Sequence, residues 1–475
     1  MAENTREIAL EALLAIERGE DYSHRLVKAV LDKYQYLPER DRGFMKRLME
    51  GTLERELELD YYLDYFSKVP VRKMKPLIRC LLRMGVYQLL YMDAVPDSAA
   101  CNEACKLAAK RGFGSLRGFV NGILRTISRN KATLPLPERD AEPVRYLTVK
   151  YSMPEWIVTL WLDEYGLDIT ETLLGGLLAV HPVCLRFRTT LQPERLQACI
   201  HGMEERGARL VRSRYLPYVY TLEGGGNVED LPGFREGLFV VQDVSSVLAV
   251  VAAGIKPGDF VMDVCAAPGG KSLLAAEWAG KVLSRDVSEE KAALVRENSR
   301  RMGTGNIEVQ VYDATRLDPA REGSADVVIV DAPCSGLGVI GKKRDIKYRM
   351  TWEKMENLKA LQKEIVRTCS RYVKPGGILL YSTCTIHRGE NEDMVRFITR
   401  ELPFVPAGLQ EVLPGEILRE KEQLLVHSGQ EGAGEKQDPE MAGADAACIQ
   451  ILPGYMEGDG FFIARFRKIT EDIGH

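Results

Sequence analysis

The sequence predicts a multidomain protein: an all-α helical bundle, a small α+β module, and a C-terminal α/β domain with a doubly wound parallel sheet. Its length of 475 residues exceeds that of one ordinary domain. Helical periodicity covers the first part of the chain, helix and strand patterns then alternate, and short apolar strands followed by helices fill the last part. We place the domains at 1–140, 145–240 and 241–475.

The bulk composition excludes several classes of protein. Hydrophobic content of 45% and charged content of 28% are typical of globular domains. There is no apolar run of about eighteen residues, and the first residues include acids and lack a basic leader region, so we expect a cytoplasmic protein without membrane contact. The ten cysteines show neither disulfide-framework nor metal-ligand spacing, which indicates reduced thiols and no metal site. We also expect a monomer.

The N-terminal region shows five or more helices with short connections, the pattern of a bundle. Pro76 stands at a first-turn position of one helix. Another helix begins near Asp97 and Ser98 and stops at Gly112. Residues 133–143 contain three prolines and several charges, which suits a linker to the next module.

In the C-terminal domain the apolar runs predict six strands. They cover residues 260–266, 281–287, 307–313, 325–333, 376–384 and 461–468. Residues 429–446 are rich in Gly, Ala and acids without periodicity, and we predict a mobile surface insertion there. In the middle module, residues 183–190 and 237–246 have strand character.

The first strand of the C-terminal domain runs into a glycine turn, Asp263-Val-Cys-Ala-Ala-Pro-Gly-Gly-Lys-Ser272. Glycines at a strand-to-helix turn let a ligand approach the backbone, and the spacing differs from the GxGxxG of a dinucleotide site. Asp286 ends the second strand, where an acid suits ribose hydroxyls, and Asp313 ends the third, where it could hold an adenine amino group. The pattern favours a nucleoside cofactor. The alternative is that these acids only cap loops.

Two cysteines follow the next two strands. The fourth strand ends with Asp331 and Cys334, and the fifth ends with Thr383 and Cys384. Ligands of an open α/β sheet bind at the carboxyl ends of its strands, so both thiols should face one pocket. A single buried cysteine is usually a packing residue, but two beside a nucleoside site indicate chemistry.

These motifs carry a family resemblance. CAAPGGK, DAPCSG and YSTC, in this order, resemble the RNA 5-methylcytosine methyltransferases of the NOL/NOP/Sun family over roughly residues 145–475. The resemblance implies a Rossmann-like domain that binds S-adenosylmethionine, with Cys384 as nucleophile and Cys334 acting in product release. The residues implied to hold the cofactor are Cys265, Ala266, Ala267, Pro268, Gly269, Gly270, Lys271, Asp286, Asp313 and Asp331. DNA cytosine methylases attack with the cysteine of their Pro-Cys motif and lack the second one, so the pair points to RNA and not to DNA.

The N-terminal region has a resemblance of its own. LLRMGVYQLLYM followed by FVNGILR is similar to the domain shared by NusB antitermination factors and a class of bacterial rRNA methyltransferases. This NusB-like resemblance implies RNA binding; the alternative is a structural helical cap. Together the two resemblances imply 16S ribosomal RNA as the partner and the cytosine at position 967 as the target.

The chemistry explains why thiols are needed. Cytosine C5 is a poor nucleophile until a thiolate adds at C6, and a carboxyl such as Asp331 near N3 would assist that addition. The attacking thiol must be ionised, so its pKa must be lowered from the usual ~8.5. Lys271 is a candidate source of the positive charge that lowers it. We consider two competing functions: an RNA-binding protein with an inactive methyltransferase domain, and a methyltransferase acting on protein or DNA.

Three further features lead to smaller expectations. The basic run at 342–349 should meet RNA phosphates. Glu390 and Glu392 look like first-turn acids that match a helix dipole. The strand at 183–190 lacks the asparagine often seen in the corresponding family strand.

Overall fold

The computed structural model describes residues 4–179, 181–427 and 444–470 of the chain. They form two compact units. The helical unit comprises Met1–Leu178 and Ile340–Arg349, and the sheet unit comprises Ala179–Val339 and Met350–His475. The module that we placed at 145–240 is therefore divided between the two units. Of the predicted insertion at 429–446, residues 429–443 lie outside the described residues.

The helical unit contains ten consecutive helices. Pro76 opens its fifth helix as predicted, because a first-turn proline loses no helical hydrogen bond. Leu10, Leu48, Leu82 and Leu124 are fully buried in one apolar core. The helices are α1 Thr5–Glu17, α2 Ser23–Lys33, α3 Glu39–Glu54, α4 Glu56–Phe66, α5 Pro76–Tyr91, α6 Asp97–Lys110, α7 Arg117–Asn130, α8 Pro143–Tyr151, α9 Glu155–Tyr165 and α10 Leu167–Leu178.

The sheet unit contains twelve described strands and seven helices, and a short eleventh helix of the helical unit interrupts its sequence. In chain order the elements are β1 Val183–Phe187, α11 Pro193–Glu204, β2 Ala208–Arg212, β3 Val219–Gly224, β4 Phe239–Val241, α12 Val244–Ala253, β5 Phe260–Asp263, α13 Gly270–Trp278, β6 Lys281–Asp286, α14 Glu289–Met302, β7 Ile307–Val311, β8 Ala325–Asp331, α15 Ile346–Arg349 (in the helical unit), α16 Trp352–Cys369, β9 Val373–Thr383, α17 Glu392–Glu401, β10 Phe404–Pro406, α18 Gly415–His427, β11 Cys448–Ile451 and β12 Phe461–Lys468.

Two sheets organise this unit. The small sheet has the order β2-β3-β1-β4 and is antiparallel. The large sheet has the order β10-β12-β9-β8-β5-β6-β7, with β11 paired to β12. Strands β9, β8, β5, β6 and β7 are parallel, so their carboxyl ends share one edge. The six predicted strands are confirmed. Strands β2, β3, β10 and β11 were not predicted.

Residues 340–349, which we call the strap, belong to the helical unit although they lie in sequence between β8 and β9. Lys347 is buried, and its Nζ donates to the carbonyls of Glu54 (2.8 Å) and Ser152 (2.5 Å). Arg344 Nε is 3.0 Å from a carboxylate oxygen of Glu54. The expectation that this basic run meets RNA phosphates is wrong for Lys347 and Arg344, because the helical unit already neutralises or buries them.

Within the described parts of the chain, no helix combines the length and the apolar character that crossing a bilayer requires.

Candidate active site

A glycine loop, residues 264–270, connects β5 to α13 at the carboxyl edge of the large sheet. Gly269 has φ +106°, a conformation that other residues rarely adopt, and the helix begins immediately after it. The loop is held at its base, where Ala266 N–H donates to the Arg285 carbonyl of β6 (2.9 Å). The backbone at this edge is therefore shaped for the close approach of a ligand.

Asp286 ends β6 and ties the glycine loop to it. Its Oδ2 accepts from Ala267 N–H (3.0 Å) and its Oδ1 accepts from Val287 N–H (2.8 Å). Lys291 Nζ lies 3.1 Å from Oδ1. The side chain is buried, and Oδ2, which accepts from one donor, has a lone pair left for a further donor.

Asp313 follows β7 at the same edge. Its Oδ1 accepts from the backbone N–H (3.0 Å) and the hydroxyl (2.7 Å) of Thr315. These hydrogen bonds lower the pKa of the Asp313 carboxyl below its usual value, so it is ionised at neutral pH. Its Oδ2 faces Arg316 Nε at 3.7 Å and remains partly exposed.

Asp331, at the end of β8, binds side chains of α13 and β9. Lys271 Nζ, from the start of α13, lies 2.7 Å from its Oδ2, and Ser382 Oγ of β9 donates to its Oδ1 (2.8 Å). Lys271 Nζ also donates to Ser246 Oγ (3.0 Å). The direct partner of the Lys271 ammonium is thus this carboxylate and not a cysteine.

The sulfur atoms of Cys334 and Cys384 lie 3.2 Å apart. Both residues are free thiols and partly exposed. The hydrogen bond with Cys384, together with burial, raises the pKa of the Cys334 thiol well above its usual value. Cys334 therefore keeps its proton at neutral pH and can donate it toward the Cys384 sulfur. The structure brings together the two cysteines that the sequence placed at one strand edge.

Glu390 accepts hydrogen bonds from Ser335, the residue that follows Cys334. The sequence did not indicate this supporting role. Glu390 is fully buried, and its carboxylate accepts from Ser335 N–H (2.9 Å), from the Ser335 hydroxyl and from Gln362 Nε2 (2.9 Å). The expectation of a first-turn helix acid is wrong for Glu390, since it ends a short 3₁₀ turn. It is confirmed for Glu392, which opens α17. The signal that could have identified Glu390 is its place six residues after Cys384.

Asp263, the last residue of β5, is the second acid that sequence reasoning missed. It is fully buried, and its Oδ2 accepts from Ser272 Oγ (2.6 Å). Burial raises its pKa to about 7. Its Oδ1 has no hydrogen-bond partner among the described residues. A buried polar atom without a partner is a feature of ligand sites.

The chain is similar to known families over both units. The model of the 16S rRNA methyltransferase RsmB/F family matches residues 250–467, and that of the NusB family matches residues 3–129. Two solved structures share the fold. The structure of PH0851 aligns with TM-score 0.75, 24% identity, and coverage of 98% of this chain and 100% of that one. NSun6 from Pyrococcus horikoshii, solved with SFG, aligns with TM-score 0.54, 20% identity, and coverage of 67% and 99%.

Curated relatives match nearly the full length. A protein of Bacillus subtilis (strain 168) named probable ribosomal RNA small subunit methyltransferase B is 35% identical over 483 residues, covering 98% of this chain and 99% of that protein. The ribosomal RNA small subunit methyltransferase B of Salmonella typhi is 29% identical over 471 residues, covering 98% and 99%. Since the first relative is similar across both units and the predicted motifs all lie at one sheet edge, this chain belongs to the ribosomal RNA small subunit methyltransferase B family.

Proposed function

We propose that this protein transfers a methyl group from S-adenosylmethionine to C5 of a cytosine in 16S ribosomal RNA, with position 967 as the target. The observation that carries the proposal is the 3.2 Å distance between the Cys334 and Cys384 sulfurs at the carboxyl edge of the large sheet. One thiol is enough for attack on a base. A second thiol within reach of the first suits a reaction in which the covalent bond must later be broken.

The residues at the carboxyl edge fit the cofactor. The loop from Cys265 to Lys271 would hold it together with Asp286, Asp313 and Asp331, and the unpartnered Asp263 Oδ1 lies in the strand that leads into that loop. S-adenosylmethionine supplies a methyl group on a positively charged sulfur. A site lined by carboxylates suits that charge. NSun6 from Pyrococcus horikoshii, which shares the fold, was solved with SFG, an S-adenosylmethionine analogue.

Cys384 is the proposed nucleophile. Its thiolate would add to C6 of the cytosine and make C5 electron-rich enough to take the methyl group, with the electron pair of the broken S–CH3 bond left on the cofactor sulfur. The C5 proton then leaves to a base, the S–C6 bond breaks, and the electron pair returns to the Cys384 sulfur. Cys334 is protonated at neutral pH and touches the attacking sulfur, so its thiol lies beside the bond that must break.

Asp331 and Lys271 are proposed to assist the ring. The Asp331 carboxylate is close to the strand end that carries Cys384, because Asp331 is in register with Ser382 of β9. The carboxyl group would donate to N3 only in its protonated form, and that hydrogen bond would withdraw electrons from the ring during attack. Lys271, whose Nζ lies 2.7 Å from Oδ2 of the same carboxylate, would hold the Asp331 side chain in place.

The partner is proposed to be RNA, with the NusB-like helices as its binding domain, and the place of action is the cytoplasm, where ribosomal RNA is modified. The family-model match at residues 3–129 supports this part of the proposal. The same match also suits the alternative, an RNA-binding protein with an inactive methyltransferase domain. The two cysteines and the glycine loop argue against inactivity.

Covalent trapping tests the proposal. Full-length Cys334→Ala and Cys384→Ala variants are mixed with 16S rRNA and S-adenosylmethionine and separated on denaturing gels. We expect an RNA–protein adduct to accumulate with Cys334→Ala, because attack proceeds and release is slowed. We expect no adduct with Cys384→Ala. Cys101→Ala, a buried helix position in the other unit, is the matched control and should behave like wild type.

The other outcomes are equally informative. An adduct with Cys384→Ala alone would reverse the two assigned roles. If wild-type protein binds the RNA but mass spectrometry of nuclease digests shows no 5-methylcytosine, the binding-protein alternative is correct. Methylated cytosine at a position other than 967 would retain the reaction and correct the target.

A further inference from the structure

Arg186 of the small sheet is buried on the face opposite to the apolar core of that sheet. Side chains alternate along β1, so Leu185 and Phe187 pack with α11 in the core of the small sheet while Arg186 lies on the opposite face. Arg186 is nevertheless fully buried. A buried charge on a sheet face needs partners, and these come from the region around the glycine loop.

Arg186 binds two elements next to the large sheet. Its Nε donates to Gln242 Oε1 (2.8 Å), and its Nη1 donates to Glu277 Oε1 (2.5 Å) in the last turn of α13. Glu277 Oε2 in turn accepts from the backbone N–H (2.6 Å) and hydroxyl (2.7 Å) of Thr189. The Arg186–Glu277 pair therefore holds the far end of the helix whose near end is the glycine loop.

Gln242 continues the connection to the loop itself. A Cβ placed on Gly270 would lie 3.2 Å from Gln242 Cδ, so the amide packs against the backbone where α13 begins. Gln242 Nε2 donates to Ser246 Oγ (3.4 Å), and the same oxygen accepts from Lys271 Nζ (3.0 Å). Lys271 then meets Asp331, which completes a path of polar contacts from β1 to the end of β8.

Stability alone does not account for Arg186. A buried ion pair is often no more stabilising than apolar side chains of similar volume, because desolvation cancels much of the attraction. Arg186 Nη2 is moreover buried without a hydrogen-bond partner in the part of the chain that the structure describes, which adds to the cost of keeping it there. The burial of Arg186 is therefore better explained by the residues that it holds in position.

We propose that Arg186 and Gln242 are positioning residues of the cofactor site, and that they hold Gly270 and Lys271 in the arrangement that S-adenosylmethionine binding requires. The small sheet thus serves the cofactor loop. This inference rests on the proposed use of S-adenosylmethionine but not on the identity of the methylated base.

The direct test is calorimetric binding of S-adenosylmethionine, without RNA, to full-length Gln242→Leu. Leucine keeps much of the volume of glutamine, leaves the Arg186–Glu277 pair in place and removes both amide hydrogen bonds. We expect the Kd to rise about tenfold, because the start of α13 is no longer held by the amide. In turnover assays, KM for S-adenosylmethionine should rise by the same factor while kcat at saturation stays within about threefold.

Two further variants keep the test decisive. Ser246→Ala breaks the same path on the loop side, removes only one oxygen and should also raise the Kd. Arg209→Met changes an exposed arginine of the same small sheet that pairs with Glu223, and it should leave the Kd unchanged. If Gln242→Leu or Ser246→Ala folds, unfolds at a lower temperature, and binds S-adenosylmethionine with wild-type affinity, the residues are merely structural and the inference is wrong.

The inference and the proposed function fail differently. Wild-type binding with no effect in the variants overturns only the positioning role. If the variants raise the S-adenosylmethionine Kd as expected but the RNA contains no 5-methylcytosine, only the assigned product is wrong. Absence of S-adenosylmethionine binding by wild-type protein overturns both.

Discussion

Two groups near the carboxyl edge, the Cys334 thiol and the Asp263 carboxyl, have raised pKa values for reasons that lie in their surroundings. The hydrogen bond to Cys384 and burial raise the pKa of the Cys334 thiol, so this thiol is neutral at pH 7. A protonated Cys334 can donate a hydrogen bond to the Cys384 sulfur, which lies 3.2 Å away. This state of Cys334 agrees with the role in product release that we propose for it.

Asp263 leads to a prediction about pH. Its folded-state pKa of about 7 is above its ordinary value of 3.8, so stability from this group is present at low pH and is lost as pH rises toward 7. In Asp263→Asn this contribution is absent. We expect urea unfolding of the variant to depend less on pH between 4 and 7, by an amount on the order of 4 kcal/mol across the window.

The measurement is denaturant unfolding monitored by circular dichroism at a series of pH values. Asp326→Asn is a suitable control, because Asp326 lies at the opposite end of β8, pairs with Lys374 and has a lowered pKa. Identical pH slopes for wild type and Asp263→Asn would show that the Asp263 carboxyl ionises normally in the folded protein.

At the scale of elements, the strap depends on other helices of its unit for the hydrogen bonds of its buried polar groups. It follows the Cys334 loop in sequence, packs within the helical unit and is followed by α16. Besides the Lys347 hydrogen bonds, Asp345 accepts from the backbone N–H (3.2 Å) and hydroxyl (2.8 Å) of Ser23. These interactions are all polar and buried, so the strap needs the helical unit to satisfy its charges.

Lys347 leads to the second pH prediction. Burial lowers its pKa from 10.5 to about 7, so between these values the unfolded chain binds a proton that the folded chain does not. The stability of the helical unit should therefore rise as pH increases from 7 toward 10 and should be flat below 7. In Lys347→Met this rise disappears. The variant is also less stable at pH 10 by about 1–3 kcal/mol, because the carbonyls of Glu54 and Ser152 lose their donor.

Thermal unfolding at pH 7, 8.5 and 10 checks this expectation. Lys343→Met, an exposed strap residue, serves as the control and should keep the wild-type profile. A pH-dependent rise that survives in Lys347→Met would assign the effect to another group.

At the level of the whole molecule, sequence patterns predicted the strands and the acids at their ends, because neighbouring residues determine both. Strands β5, β6 and β8 are largely buried on both faces and appear as short runs that end in Asp263, Asp286 and Asp331, so their edge and its acids could be located. The supporting residues could not. Glu390 meets Ser335 across 55 positions, Arg186 meets Glu277 across 91, and Lys347 meets Glu54 across 293. No periodicity or spacing rule connects residues so far apart, because only the folded topology brings them together.

The division of the chain into two units leads to the last prediction, which concerns RNA binding. Residues 110–131 contain six basic residues and no acid. On α7 the exposed side chains Arg117, Arg125 and Arg129 have no carboxylate partner within residues 4–179, 181–427 and 444–470, while the apolar side chains of the helix face the core. Arginines without a carboxylate partner on one helix suit RNA phosphates, whereas the proposed cofactor residues all belong to the sheet unit.

We therefore expect the two affinities to separate by mutation. Arg125→Ala should weaken 16S rRNA binding and reduce the slope of log K against log salt by about 0.9 for each phosphate that the variant no longer neutralises, while leaving the S-adenosylmethionine Kd unchanged. Asp286→Ala should raise that Kd about tenfold, because the carboxylate both faces the cofactor edge and holds Ala267 N–H, and it should leave RNA affinity unchanged.

In the double variant, the effect of Arg125→Ala on RNA affinity and that of Asp286→Ala on S-adenosylmethionine affinity should equal those in the single variants, because the two proposed sites share no residue. Filter binding provides the RNA affinity and calorimetry provides the S-adenosylmethionine affinity. Lys28→Ala, which removes an exposed basic residue of α2, is the control for charge alone. A change of S-adenosylmethionine affinity in Arg125→Ala would instead mean that the helical unit contributes to the cofactor site, because a purely phosphate-binding arginine has no way to alter it.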